Sequence, residues 1–120
     1  MSTDAVSLAP PSRTAAWALV QEHVREDGLR RHMLAVECVM RAYARKLGED
    51  EDRWGVTGLL HDFDWEIHPN VEQHPEEGCK MLEAAGWPAD IVRAVRGHAS
   101  YLNVPRDTQM AKALFACDEL

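Results

Sequence analysis

Apolar side chains recur at intervals of three and four residues along most of the chain, which is the spacing of one face of an α-helix. Sustained alternation of apolar and polar residues, the pattern of a half-buried strand, is nearly absent. Glycine and proline divide the helical pattern into segments at Gly28, Gly48, Gly86 and Pro105. The pattern predicts an all-α fold, a single-domain bundle of about six helices.

End signals set the bounds of the predicted helices. Ser12 is a good N-cap, and the helix that it opens is expected to run to about Asp27, where Gly28 stops it. Residues 1–11 are polar and contain two prolines, so we expect a flexible lead-in there, ahead of a helical domain over residues 12–120. The other helices are expected at about residues 29–47, 50–62, 74–86, 88–98 and 106–120, with an irregular segment at 63–73.

Composition narrows the class of protein. With 120 residues and 46% hydrophobic side chains the chain forms one domain, and no apolar run approaches the roughly 18 residues of a spanning helix. The first residues show neither the basic segment nor the apolar core of a signal peptide, so a cytoplasmic protein is expected. The three cysteines form no Cys-x-x-Cys pair and are expected to be small buried side chains.

The net charge of -7 argues against a nucleic-acid polymer or an anionic membrane as partner, because both bind clustered positive charge. A small phosphorylated substrate stays compatible with it, since bound metal ions can invert the local charge. The oligomeric state is not fixed, and a homodimer is left open.

Polar residues at the ends of apolar stripes are the first chemical signal. On the second helix the predicted stripe of Val36, Val39, Met40, Tyr43 and Leu47 begins at His32. His98 similarly continues the apolar stripe of the fifth helix, and Asp118 continues that of the last helix. A buried carboxylate without a partner costs several kcal/mol, and one shared metal ion would satisfy all three side chains.

His61 and Asp62 follow a buried Leu-Leu pair at a predicted helix end. Adjacent helical residues point about 100° apart, but at a helix C-terminus both side chains can turn towards one cleft. Imidazole beside carboxylate suits a divalent transition metal. Taken singly, His23 is an ordinary surface residue, His68 is either a loop residue or a substrate contact, and His74 is either a cap or a ligand.

The order of these residues along the chain resembles the HD-domain superfamily of all-helical, metal-dependent phosphohydrolases and phosphodiesterases. The resemblance covers about residues 29–120 with every element in order, including the His-Pro-x-x-Gly element of the HDIG-like branch with two metals. The segments that carry it, besides His32, are Leu59-Leu60-His61-Asp62, Gln73-His74-Pro75-Glu76-Glu77-Gly78, Arg96-Gly97-His98-Ala99 and Ala116-Cys117-Asp118-Glu119-Leu120.

The resemblance implies one or two divalent ions (iron, manganese, zinc, nickel or cobalt) and hydrolysis of a phosphoester by metal-activated water. It implies a catalytic role for Asp62, which orients the attacking water. One ion would be held by His32, His61, Asp62 and Asp118, and a second by His74 and His98 with Asp62 bridging.

Two positions depart from the family pattern, which continues His-Asp with a small residue, Gly, and often with a phosphate-contacting Lys. Here the same positions read Phe63, Asp64 and Trp65, and without the lysine the cleavage of cyclic dinucleotides is disfavoured. The segment resembles a mostly uncharacterised subgroup. We expect Asp64, Glu66 and His68 to support the metal ligands or to face the substrate, and Asp64 and His68 are the further candidates for catalysis.

The same ligand set has other readings. A non-catalytic module that binds a metal or another ligand would keep it, as would a di-iron oxygenase of the same fold, and a purely structural metal is the simplest case. Asp118 lies two residues from the end, whereas in the resembling family the chain runs on. We therefore expect a shortened version of a longer protein.

Overall fold

Six α-helices account for most of the residues that the structure, a computed structural model, describes, namely residues 11–67, 70, 73–99 and 104–118. Those residues contain no β-strand, so the predicted all-α fold is confirmed. The predicted lead-in, apart from Pro11, and His68 lie outside the described residues. The helices are α1 (Arg13–His23), α2 (Asp27–Leu47), α3 (Glu51–Leu60), α4 (Glu76–Ala84), α5 (Ala89–Gly97) and α6 (Gln109–Asp118).

Several predicted helix ends are confirmed by their capping bonds. The Ser12 hydroxyl accepts a hydrogen bond from the backbone N–H of Ala15 at 3.1 Å and caps α1. The Asp50 carboxylate does the same for the N–H of Arg53 and caps α3. Gly48 ends α2 with φ of 73°, a left-handed conformation that glycine adopts without strain.

The boundary between α1 and α2 differs from the prediction. Helix α1 ends four residues early, and Gly28 lies in the first turn of α2 instead of ending α1. The carboxylate of Glu26 accepts a hydrogen bond from the N–H of Leu29 at 2.7 Å and so opens α2. The N–H of Glu26 in turn donates to the Glu66 carboxylate at 2.9 Å. Glu26, held by Glu66, therefore caps α2, and the two helices are separated before Gly28 and not at it.

The buried face of α2 is also displaced from the predicted stripe. Tyr43 and Leu47 are nearly half exposed, since Tyr43 lies beside the buried face that Met40 and Ala44 form and Leu47 is the last residue of the helix. Helix α3, buried from Trp54 to Leu60, packs along that buried face. The buried residues of α2 are Met33, Val36, Glu37, Met40 and Ala44.

A buried carboxylate ties α1 to α2. Glu37 is 5% exposed, and its two oxygens accept hydrogen bonds from the Arg13 guanidinium at 2.6 and 3.0 Å. Arg41, one turn along α2, adds a third bond at 3.1 Å. Because a buried charge is tolerated only with such partners, these two arginines explain how an acidic residue lies in the apolar face.

The remaining helices close the core around α3. Helix α6 packs against α2, α3 and α5, and α4 packs against α5. Helix α6 begins at Gln109, three residues later than predicted. Of the cysteines, Cys79 and Cys117 are buried as expected, whereas Cys38 is exposed on α2. No helix among the described residues is long and apolar enough to cross a membrane.

Candidate metal centre

Three helices bring two histidines and two carboxylates to one point. His32 comes from the first third of α2, His61 and Asp62 follow the last turn of α3, and Asp118 ends α6. The Nε2 atoms of His32 and His61 are 3.1 Å apart, and they lie 3.0 and 2.9 Å from Oδ1 of Asp118. The structure thus brings together the four side chains that the sequence pattern grouped.

Asp62 connects this group to a second one. Its Oδ2 lies 3.3 Å from Nε2 of His61 and 3.7 Å from Nε2 of His32. Its other oxygen, Oδ1, lies 3.1 Å from Nε2 of His74, at the start of α4, and 3.3 Å from Nε2 of His98, at the end of α5. One carboxylate thus faces two clusters of donors, one through each oxygen.

The spacing of the donor atoms fits divalent metal ions. Ligands about 2.1 Å from an ion are separated by about 3.0 Å along an octahedral edge and about 3.4 Å along a tetrahedral edge. The separations in the first group run from 2.9 to 3.7 Å. Four imidazoles and two carboxylates, without thiolate, suit ions of intermediate hardness. The residues present therefore fit a His/Asp metal site.

Two of the histidines are oriented by the backbone of the helix that they end. The Nδ1–H of His61 donates to the carbonyl oxygen of Gly58 at 2.7 Å, and that of His98 donates to the carbonyl oxygen of Val95 at 2.5 Å. In each case the acceptor lies three residues earlier. Because the proton is held on Nδ1, the lone pair of Nε2 points towards the shared carboxylate, as metal ligation requires.

His74 is oriented by a side chain instead. Its Nδ1–H donates to Oδ1 of Asp64 at 2.5 Å, and Oδ2 of Asp64 accepts from the backbone N–H of Gly78 at 3.1 Å. Asp64 is only 1% exposed. The structure therefore places Asp64 behind His74, in the supporting role that was one of the two expected, and its burial argues against the alternative, a direct catalytic contact with a substrate.

The other two candidates from this segment do not join the site in the described structure. Glu66 points away from the clusters, because its carboxylate accepts hydrogen bonds from the backbone N–H groups of Arg25 and Glu26 at 2.9–3.1 Å. It fastens the α1–α2 turn instead of supporting a ligand or facing a substrate. His68, the third candidate, lies outside the described residues, and its predicted role stays a prediction.

The sequence analysis assigned no role to Trp65, yet the structure places it at the edge of the site. Its ring is 40% exposed and meets the His74 ring edge-on, with the ring centroids 5.0 Å apart. The signal available in the sequence was a tryptophan in the irregular segment just after the His-Asp pair, since large aromatic side chains usually lie in the apolar faces of helices.

Neighbouring opposite charges shift the pKa values of the histidines and carboxylates in the two clusters. Burial alone would lower the pKa of His61, but the carboxylates of Asp62 and Asp118 raise it to about 10. Burial has the same effect on His74, and hydrogen bonds to Asp62 and Asp64 raise its pKa to about 9. For Asp62 burial favours the neutral acid, yet the neighbouring imidazoles hold its pKa far below the usual range.

Metal binding is therefore expected to release protons at pH 7. Both pKa values lie above 7, so His61 and His74 hold a second ring proton that the metal must displace from Nε2. The apparent metal affinity should rise with pH, up to the region of these pKa values. Calorimetric titration with Zn²⁺ in buffers of different ionisation enthalpy measures the release. Heats at pH 7 that do not depend on the buffer would contradict the prediction.

Comparison with known proteins adds a family match. The HD domain family matches residues 29–120 of the chain. The chain is also similar to ribonuclease Y of Oleidesulfovibrio alaskensis, with 31% identity over 90 residues. That alignment covers 74% of this chain and 17% of the relative, so the chain spans less than a fifth of that protein. No solved structure matched the chain.

Proposed function

The chain belongs to the HD domain family, and on that premise we propose that it is a metal-dependent phosphohydrolase that hydrolyses a nucleotide or a small phosphate ester. The observation that carries the proposal is the carboxylate of Asp62, which faces two donor clusters at once. The proposed ligands of one ion are His32, His61, Asp62 and Asp118, and those of a second are Asp62, His74 and His98.

Bound divalent ions would polarise the phosphoryl oxygens and lower the pKa of a bound water from about 15.7 towards 7. The only charged ligands are two carboxylates, so a centre with two ions carries a net positive charge. Such a centre attracts a phosphate group although the protein as a whole has a charge of -7.

Exposure indicates the side from which a substrate reaches the centre. The side chains of His32 and Asp118 are 34% and 29% exposed, whereas that of His61 is fully buried. His61 therefore forms the floor of the site, and the substrate phosphate approaches past His32 and Asp118. Asp62, 18% exposed and set between the clusters, is placed to orient the attacking water, whose proton bound divalent ions would make easier to lose.

The exposed ring of Trp65 supports a substrate with a planar group. Stacking of a base on an aromatic side chain contributes about 1–3 kcal/mol. Trp65 contacts His74, so a base stacked on it would lie next to the second cluster. The similarity to ribonuclease Y supports the same nucleotide class. The acidic charge of this chain favours nucleotides or small phosphate esters over a long polymer.

The proposal is tested by stripping the protein with a chelator and reloading it separately with Mn²⁺, Fe²⁺, Zn²⁺, Ni²⁺ or Co²⁺. Each form is assayed against nucleotides, cyclic nucleotides, a short RNA, glycerol 3-phosphate as an alkyl phosphate, p-nitrophenyl phosphate and its diester. We expect hydrolysis with at least one metal, none after chelation, and a lower KM for nucleotides than for alkyl phosphates.

Other outcomes would replace the proposal. Tight metal binding without turnover across the whole panel would identify a non-catalytic metal-binding module. Oxygen uptake by the iron-loaded protein, with the spectrum of a di-iron centre, would identify an oxygenase built on the same ligands.

A further inference from the structure

The three histidines nearest to Oδ1 or Oδ2 of Asp62 are not oriented by the same kind of group. His61 and His98 donate from Nδ1 to backbone carbonyls. His74 donates from Nδ1 to the side chain of Asp64, at 2.5 Å. A backbone acceptor is present whatever the residue type, whereas a carboxylate is present only while position 64 is acidic. The second cluster therefore depends on one side chain that the first cluster does not use.

Asp64 is itself fixed by Gly78, the third residue of α4. The backbone N–H of Gly78 donates to Oδ2 of Asp64 at 3.1 Å. A Cβ atom at position 78 would overlap the carboxyl group of Asp64, so only glycine leaves room for that side chain. The N-terminal turn of α4 also favours a negative charge at this point. Asp64 and Gly78 thus form one unit that holds the His74 ring.

We propose that Asp64 is a positioning residue that decides whether the chain binds a second metal ion, without determining whether it binds the first. This inference rests on the proposed function, because it takes both clusters as metal sites. Asp64 touches neither the proposed first-ion ligands nor the substrate side of the site. It acts through His74 by keeping the proton on Nδ1 and the lone pair of Nε2 directed at Asp62.

Replacement of Asp64 by Asn separates the tautomer of His74 from the packing around it. Asn has the same shape, and its carbonyl oxygen can still accept from the N–H of Gly78. Its amide group then faces Nδ1 of His74 and donates to it, so the ring proton moves to Nε2 and bonds to Asp62. The hydrogen bonds remain satisfied and the fold is retained, but Nε2 no longer offers a lone pair. The opposite amide orientation is disfavoured, because it would set the amide donor of the new asparagine against the N–H donor of Gly78.

The experiment loads the full chain with Mn²⁺ and measures metal content and electron paramagnetic resonance during a titration. The wild-type protein should bind two Mn²⁺ ions with the spectrum of a coupled pair. In Asp64→Asn the affinity for the second ion should fall roughly 10- to 100-fold while the first is unchanged, leaving an uncoupled spectrum. Nitrogen NMR of the Zn²⁺-loaded variant should show the proton of the His74 ring on Nε2.

A second variant and two controls separate positioning from folding. Gly78→Ala displaces Asp64 and should lose the same second ion. Lys80→Ala shortens a side chain of α4, the helix that carries Gly78, at a position where it is 59% exposed, and should keep both ions. Asp52→Asn removes a carboxylate whose side chain is 89% exposed and should also keep both.

The outcomes distinguish this inference from the proposed function. A wild-type protein that binds no Mn²⁺ overturns both, whereas one that binds a single ion overturns only the role of Asp64. Retention of two ions at wild-type affinity in Asp64→Asn overturns the inference. Loss of both ions in that variant also overturns it, because Asp64 would then support the whole site.

Discussion

Replacement of Asp62 by Asn is expected to leave at most one metal ion bound and to lower phosphoester hydrolysis by at least about 10³-fold, or about 4 kcal/mol of transition-state stabilisation. The reason is the position of its two oxygens. Oδ2 faces His61 and His32, and Oδ1 faces His74 and His98. An amide offers one neutral oxygen in place of two charged ones, so it cannot serve both clusters.

Metal content by mass spectrometry and turnover of the best substrate from the panel test this expectation together. Circular dichroism should show unchanged helicity, because Asp62 follows the end of α3 and caps no helix. Asp52→Asn is the matched control and should leave both quantities at the wild-type level. A variant of Asp62 that keeps two ions, or more than about a tenth of the activity, would show that this carboxylate is not shared between ions.

Replacement of Gly58 by Ala is expected to lower the free energy of unfolding by about 2 kcal/mol and to weaken metal binding. A Cβ at this position would lie 3.0 Å from the carbonyl oxygen of Val36 and 3.1 Å from the backbone of Glu37. These are backbone atoms of α2 and cannot rotate away, so α2 and α3 must separate. Overpacking of this kind costs about 1–3 kcal/mol, and the gain of alanine over glycine in helix propensity offsets up to about 1 kcal/mol.

The loss of metal affinity follows from the same displacement. Helix α2 carries His32 and α3 positions His61, whose Nε2 atoms are 3.1 Å apart. Urea unfolding of the metal-free protein measures the stability, and a Zn²⁺ titration measures the affinity. Lys80→Ala, at a side chain of α4 that is 59% exposed, is the control and should not lower the stability. Equal unfolding midpoints for wild type and Gly58→Ala would contradict the close approach of the two helices.

The candidate ligands could be predicted from the sequence because most of them lie at or next to the end of a helix, and His32 lies at the start of an apolar stripe. His98 continues the stripe of Ile91 and Val95, both of which are buried. His61 and Asp62 follow the buried Leu59 and Leu60 in the same way. Helix periodicity places such residues at the rim of the core, and the resemblance to the HD-domain superfamily supplies the order in which they occur.

Other features depend on contacts that periodicity does not describe. The N–H of Glu26 donates to the carboxylate of Glu66, 40 residues later in the chain. This distant contact helps to set the boundary between α1 and α2, which the sequence pattern had assigned to Gly28. From the sequence, Asp64 could either support a metal ligand or face a substrate. Only the fold reveals that it points at His74 and Gly78. A pattern gives the face of a helix, but it does not give the partner of a polar group.

The difference between backbone and side-chain acceptors has an evolutionary consequence. The carbonyl groups of Gly58 and Val95 cannot be deleted by any point mutation, so the orientation of His61 and His98 is robust to sequence drift at the acceptor positions. The orientation of His74 is exposed to selection at a single codon, that of Asp64. A single substitution at position 64 would therefore be enough for a homologue to gain or lose the second metal ion, while the first site is retained.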